Sequence, residues 1–145
     1  MATSLATYIA FPGNAREAFT HYRDVFGGDL QIAGYGDMPM PDMPFEPGPD
    51  DVAHAVLTLP GGVIAGADAM PSERDKPLRD TGYSFLYEVE SVEEAQRIID
   101  ALVAGGGAVG MPLERAPWGA WYGSAFDRFD VMWALSTSDA ESAQG

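Results

Sequence analysis

Two amphipathic stretches stand out in the pattern of apolar and polar positions. Ala15, Ala18, Phe19, Tyr22, Val25 and Phe26 recur at i, i+3, i+4 and i+7, and so do Val92, Ala95, Ile98, Ile99, Leu102 and Val103. That period gathers each set on one face of a helix. Asn14 stands three residues before Glu17, and Ser91 three before Glu94. This is the spacing at which a cap side chain takes an orphan backbone amide and the glutamate reaches back. Gly27-Gly28 and Gly105-Gly106-Gly107 close the two stretches, as helix ends favour glycine. A short apolar run precedes each helix, residues 5–11 and 83–89. Three strand candidates follow the first helix, at 30–35, 52–59 and 63–69, and three follow the second, at 108–113, 121–127 and 131–137.

Each half thus reads βαβββ, and the halves repeat at an offset of 77 residues, at which Glu17-Ala18 meets Glu94-Ala95. The expected class is α+β, with modules at 5–69 and 83–137 inside one domain, 1–137. One helix covers one face of its sheet, so the other face needs a partner. Two modules side by side are expected to form curved mixed sheets around a shared concave cavity. Residues 36–51 lie outside the pattern: five prolines, three methionines, five acids and no base. Long loops of this kind are often functional, and methionines suit a lid over an apolar ligand. An insertion without a role fits equally well. The polar segment 138–145 reads as a frayed tail.

Composition narrows the chemistry. The chain has 145 residues, 46% of them hydrophobic, which is enough for a core. There is no cysteine, hence no disulfide, thiolate nucleophile or thiolate metal site. A net charge of −14 argues against nucleic acid and anionic membranes as partners. It favours uncharged or cationic small ligands. Without a membrane-length apolar run or a basic leader, the expected location is the cytoplasm.

Several phrases resemble one family. They are Phe11-Pro12-Gly13-Asn14-Ala15-Arg16-Glu17-Ala18, Tyr22 through Gly28, His54-Ala55, Trp118-Gly119, Tyr122-Gly123, Asp127-Arg128-Phe129 and Trp133. With the paired βαβββ pattern over residues 5–137, they resemble the vicinal oxygen chelate superfamily (glyoxalase, bleomycin resistance, extradiol dioxygenase), and its PhnB-like branch in particular. The resemblance implies a protein with a small-molecule cavity, often a homodimer. It also implies a divalent metal held by two ligands from the opening strands of the modules and a carboxylate from the final strand. Aligning those strands puts Thr7, Ser84 and Ala134 at the three positions, where hydroxyls and a methyl are poor ligands or none. The expectation is therefore no metal and no cofactor.

What remains for chemistry is sparse. His54 and Asp68 lie on the two arms of a hairpin around Pro60-Gly61-Gly62. With a three-residue loop they stand directly opposite each other, and the carboxylate would orient the imidazole as a general base. A two-residue Gly61-Gly62 loop would instead shift the register by one and make the pair diagonal. A structural hydrogen bond between them is the plainer reading. Alternation puts Ser84, Leu86 and Glu88 on one face of their strand, with Phe85, Tyr87 and Val89 against the second helix. Val131, Trp133 and Leu135 read as core, leaving Ala134 facing the cavity side. Candidate ligand contacts are thus Thr7, Ile9, Phe11, Ser84, Leu86, Glu88, Ala134 and the loop residue Trp118, with His54 and Asp68 as candidate catalytic residues.

Three readings follow. The first is a metal-independent binding protein for an unidentified small molecule. The second is a glyoxalase-like lyase or isomerase with His54 as base, or with a metal at a non-standard site of His54, Asp68 and Glu88. The third is a dimeric scaffold that uses Trp118 and the 36–51 loop.

Overall fold

The computed structural model describes residues 5–37, 48–79 and 81–137. The expected lid, in the Pro- and Met-rich segment 38–47, and the expected frayed end, 138–145, lie outside the described residues. The chain forms two compact units, Met1–Lys76 and Pro77–Gly145.

In the first unit, strand β1 (Thr7–Phe11) leads into helix α1 (Ala15–Phe26). Strands β2 (Asp29–Gly34), β3 (Val52–Leu59) and β4 (Gly62–Asp68) follow. The sheet order is β1-β4-β3-β2, with β1 parallel to β4 and the other pairs antiparallel. The helical stripe is buried as its spacing predicts: Ala15, Ala18, Phe19 and Tyr22 are fully enclosed. Phe11 meets Phe19 edge-on at 5.7 Å and Tyr22 at 6.4 Å, so Ile9 and Phe11 face the helix. Gly66 lies under Phe19, where a Cβ would strike the ring and the Ile9 carbonyl. The absence of a side chain there lets α1 settle on the sheet.

The second unit repeats the plan. Strand β5 (Phe85–Val89), helix α2 (Val92–Ala104) and strands β6 (Ala108–Arg115), β7 (Trp121–Phe126) and β8 (Met132–Thr137) form a sheet of order β5-β8-β7-β6. Ala95, Ile98, Ile99 and Leu102 are buried on the sheet with Trp133 and Leu135, and Phe85 stacks on Trp133 at 4.4 Å. β6 is an exposed edge strand with two register irregularities.

The βαβββ plan and mixed strand order match expectation, but the curved sheets enclosing a cavity do not. Each sheet is open, four-stranded and bounded by edge strands, β1 and β2 in one and β5 and β6 in the other. Four strands hydrogen-bonded in a row do not close on themselves; closure needs more strands and a continuous stagger.

The repeat also carries a one-residue slip. The helices repeat at 77, but β1 pairs with β4 as β5 pairs with β8, so Thr7 corresponds to Phe85 and Phe11 to Val89, an offset of 78. Three residues, Pro12-Gly13-Asn14, join β1 to α1, whereas two, Glu90-Ser91, join β5 to α2.

Candidate functional site

Each sheet turns one face to its helix and one away, and a functional side chain belongs on the outward face. In the second unit the expected faces are observed. Phe85 and Trp133 share the helix side, while Leu86 pairs with Ala134 and Glu88 with Ser136 on the outward side. Leu86 is exposed and Ala134 buried. Ser84 precedes β5 and is exposed.

In the first unit the expected faces are wrong by one. Ile9 and Phe11 belong to the core, and Thr7, two residues before Ile9 on the same strand, shares their side by alternation. The outward residues of β1 are Tyr8 and Ala10. The counterpart of Ser84 is therefore Ala6, not Thr7. The error came from carrying the helix offset of 77 into strands that repeat at 78, and one residue inverts a strand's faces.

His54 and Asp68 are also separated by a register step. The hairpin turn holds two residues, Pro60-Gly61, and Leu59 pairs with Gly62. The register Ala55–Gly66 then sets His54 beside Ala67, not Asp68. Asp68 pairs with Phe11 on the helix side and is 4% exposed. Its Oδ1 accepts from the Ala15 amide and its Oδ2 from the Val52 amide, each at 2.8 Å. Both oxygens are thus committed to holding the start of α1 and the start of β3.

Tyr8 is the partner of His54. Its Oη lies 3.2 Å from His54 Nδ1, and the rings stack at 5.8 Å. The two residues flank β4, whose outward positions Ala65 and Ala67 are small enough for the rings to meet above them. Desolvation, reinforced by Tyr35, pushes the Tyr8 phenol above the usual tyrosine range. It is therefore neutral at physiological pH and can donate to Nδ1 when that nitrogen carries no proton. Sequence reading missed Tyr8; counting alternate positions back from the core residue Phe11 would have found it.

Trp118 is exposed in the β6–β7 turn and meets Tyr122 edge-on at 6.1 Å. His21 lies beside Tyr22 on α1, away from these faces. Among the described residues no three of His, Asp and Glu converge as a metal cage would require. The positions aligned with the family's ligands carry Ser84, Ala134 and either Thr7 or Ala6, which offer hydroxyl or methyl groups. Hydroxyls and a methyl are poor ligands for a divalent metal or none, and both oxygens of Asp68 already accept backbone amides.

The described helices are too short and polar to cross a membrane. No curated protein matches the chain. A protein of Pseudomonas aeruginosa, PA1353, is 34% identical, with a TM-score of 0.78 over 95% of this chain and 99% of that one. A Bacillus cereus protein described as a putative 3-demethylubiquinone-9 3-methyltransferase, PhnB protein, is 26% identical, with a TM-score of 0.73 over 94% of this chain and 100% of that one. The fosfomycin resistance protein FosX of Listeria monocytogenes shares the fold at 12% identity and a TM-score of 0.66, over 99% of each chain. The pattern of the Glyoxalase/Bleomycin resistance protein/Dioxygenase superfamily matches residues 4–135. With the two βαβββ units, this places the chain in that superfamily.

Proposed function

We propose that the protein binds a small organic molecule on the outward faces of its sheets without a resident metal. In this reading it is a PhnB-like member of the superfamily that acts as a cytoplasmic homodimer. The observation that carries the reading is the contrast between two sets of positions. Those aligned with the family's metal ligands hold Ser84, Ala134 and Thr7 or Ala6, whereas Tyr8 and His54 stand paired on an outward face. The likeness to the Bacillus cereus PhnB protein supports the branch. Sequestration needs no more than such a surface, and an acidic chain attracts cations and repels anions, which favours cationic or uncharged ligands.

The test is a thermal-shift screen with dicarbonyls, aromatic cations and glycopeptide antibiotics, run alongside zinc and nickel and followed by titration calorimetry. Saturable binding of an organic compound, with no stabilisation by either metal, is the expected result. Stabilisation by a metal at stoichiometric amounts, or no organic hit, overturns the reading.

The Tyr8–His54 contact favours a second reading, a lyase or isomerase with His54 as the base and Tyr8 as its orienting donor. Here His54→Ala abolishes turnover while ligand affinity changes little. For simple binding there is no turnover of the bound compound, and His54→Ala changes affinity alone.

A further inference from the structure

The outward face of the second sheet carries one row of polar and aromatic side chains across all four strands. Glu88 on β5 pairs with Ser136 on β8, Ser136 with Tyr122 on β7, and Tyr122 with Glu114 on β6. Direct pairing puts all four on one face, with neighbours about 5 Å apart and the ends about 14 Å apart. Trp118 folds against Tyr122 at the Glu114 end. Among the described residues, neither glutamate side chain has an ion pair or hydrogen bond. Ser136 is 7% exposed, and its hydroxyl has no hydrogen-bond partner among the described residues. Its side chain is directed into the row by the pairing, where its hydroxyl can hydrogen-bond a ligand. The same face already holds one cation, from the chain itself. The Arg79 guanidinium lies 4.0 Å from the centre of the Phe126 ring, with its Nε 3.2 Å from Asp130 Oδ1. Phe126 alternates with Tyr122 along β7 and so shares its face. A ring and a carboxylate therefore hold a cation at one end of β7, and the same two groups stand without one at the other.

We propose that the row Glu88–Ser136–Tyr122–Glu114, with Trp118, is a subsite for an organic ammonium or guanidinium group. The rings of Trp118 and Tyr122 attract the cation through their faces. Glu114 supplies the nearby countercharge, Ser136 offers a hydroxyl to any polar group the ligand carries, and Glu88 adds a more distant negative charge. The inference deepens the small-molecule reading above and rests on it.

The experiment titrates the full chain with phenyltrimethylammonium and, separately, with benzenesulfonate, followed by calorimetry and indole fluorescence. The cation is expected to bind saturably and the anion not at all. E114Q weakens cation binding about fivefold, W118A about tenfold and E88Q less than E114Q, since Glu88 is farther from the rings. D100N, which removes one negative charge from α2, leaves affinity unchanged. All four positions are exposed, and an unchanged thermal midpoint verifies that each variant folds. Equal binding of cation and anion, or unchanged affinity in both E114Q and W118A, overturns the subsite. If screened compounds bind in a way that Y8F or H54A weakens while E114Q and W118A do not, small-molecule binding stands and only this subsite falls. If no compound binds at all, both fall.

Discussion

Asp68 and His54 show how one step of register decides what a residue is for. Asp68 is enclosed, and its carboxylate accepts two backbone amides from separate elements. His54 is exposed and touches one phenol. Asp68→Ala leaves two buried amides without an acceptor and is expected to lower unfolding stability by about 3 kcal/mol in urea denaturation. His54→Ala is expected to stay within about 0.5 kcal/mol, as exposed substitutions do. If the two cost the same, the assignment of Asp68 to the fold is wrong. Tyr8 adds a pH dependence. Its folded phenol titrates above the usual tyrosine range, because partial burial disfavours the anion. The folded state therefore keeps this proton longer than the unfolded chain does. Stability falls as pH rises from about 10 through the folded value. In Tyr8→Phe the alkaline limb of a stability-against-pH curve should be shallower.

At the scale of elements, the two units solve the same end problems with different side chains. The last residue of the final strand ties down the first amide of the preceding strand, its neighbour in the sheet: Asp68 accepts from Val52, and Thr137 Oγ1 accepts from Trp121 at 3.2 Å. Helix starts are handled differently. Ser91 caps α2 itself, accepting from the Glu94 amide at 3.1 Å. Asn14 makes no such bond, and the start of α1 is held instead by Asp68 from β4. The matching cap motifs in the sequence thus correspond to one local cap and one tertiary cap. Ser91→Ala should cost about 1 kcal/mol. Asn14→Ala should cost less than about 0.5 kcal/mol or stabilise slightly, because the Asn14 Oδ1 is buried without a partner among the described residues. Chemical denaturation of the two variants checks this, and a larger loss for Asn14→Ala contradicts it. In the second unit, Asp127 plays a comparable fold-holding part. It accepts from the Phe129 and Val131 amides and from the Trp133 indole, which fastens the β7–β8 turn to the core.

Over the whole molecule, the dominant quantity is charge: 22 acids against 8 bases. Such an excess of one sign repels itself in the compact state and is screened by salt. Raising sodium chloride from about 10 to 200 mM is expected to raise the thermal midpoint by a few degrees. A midpoint that falls with salt would indicate that attractive pairs outweigh the repulsion. The described ion pairs argue against that outcome. Most are exposed, and Arg97–Glu94 and Lys76–Glu73 are short-range pairs of the kind worth a few tenths of a kcal/mol.

The helices, their ends, the eight strands and the twofold βαβββ plan were legible in the sequence, because each is a local matter of period, caps and breakers. The core stripes of α1 and α2 and the division of faces on β5 and β8 were legible for the same reason. What tertiary structure alone decided turned on single-residue counts between elements. A two-residue rather than three-residue hairpin loop sent Asp68 to the helix side and left His54 to Tyr8. One extra residue between β1 and α1 moved Ile9, Phe11 and Thr7 off the outward face. Sheet closure likewise lies beyond local pattern, since it depends on how many strands hydrogen-bond and in what stagger. Periodicity says which residues share a face. Only the assembled sheet says which way that face points, because shifting a strand by one residue leaves its pattern intact and reverses its sides.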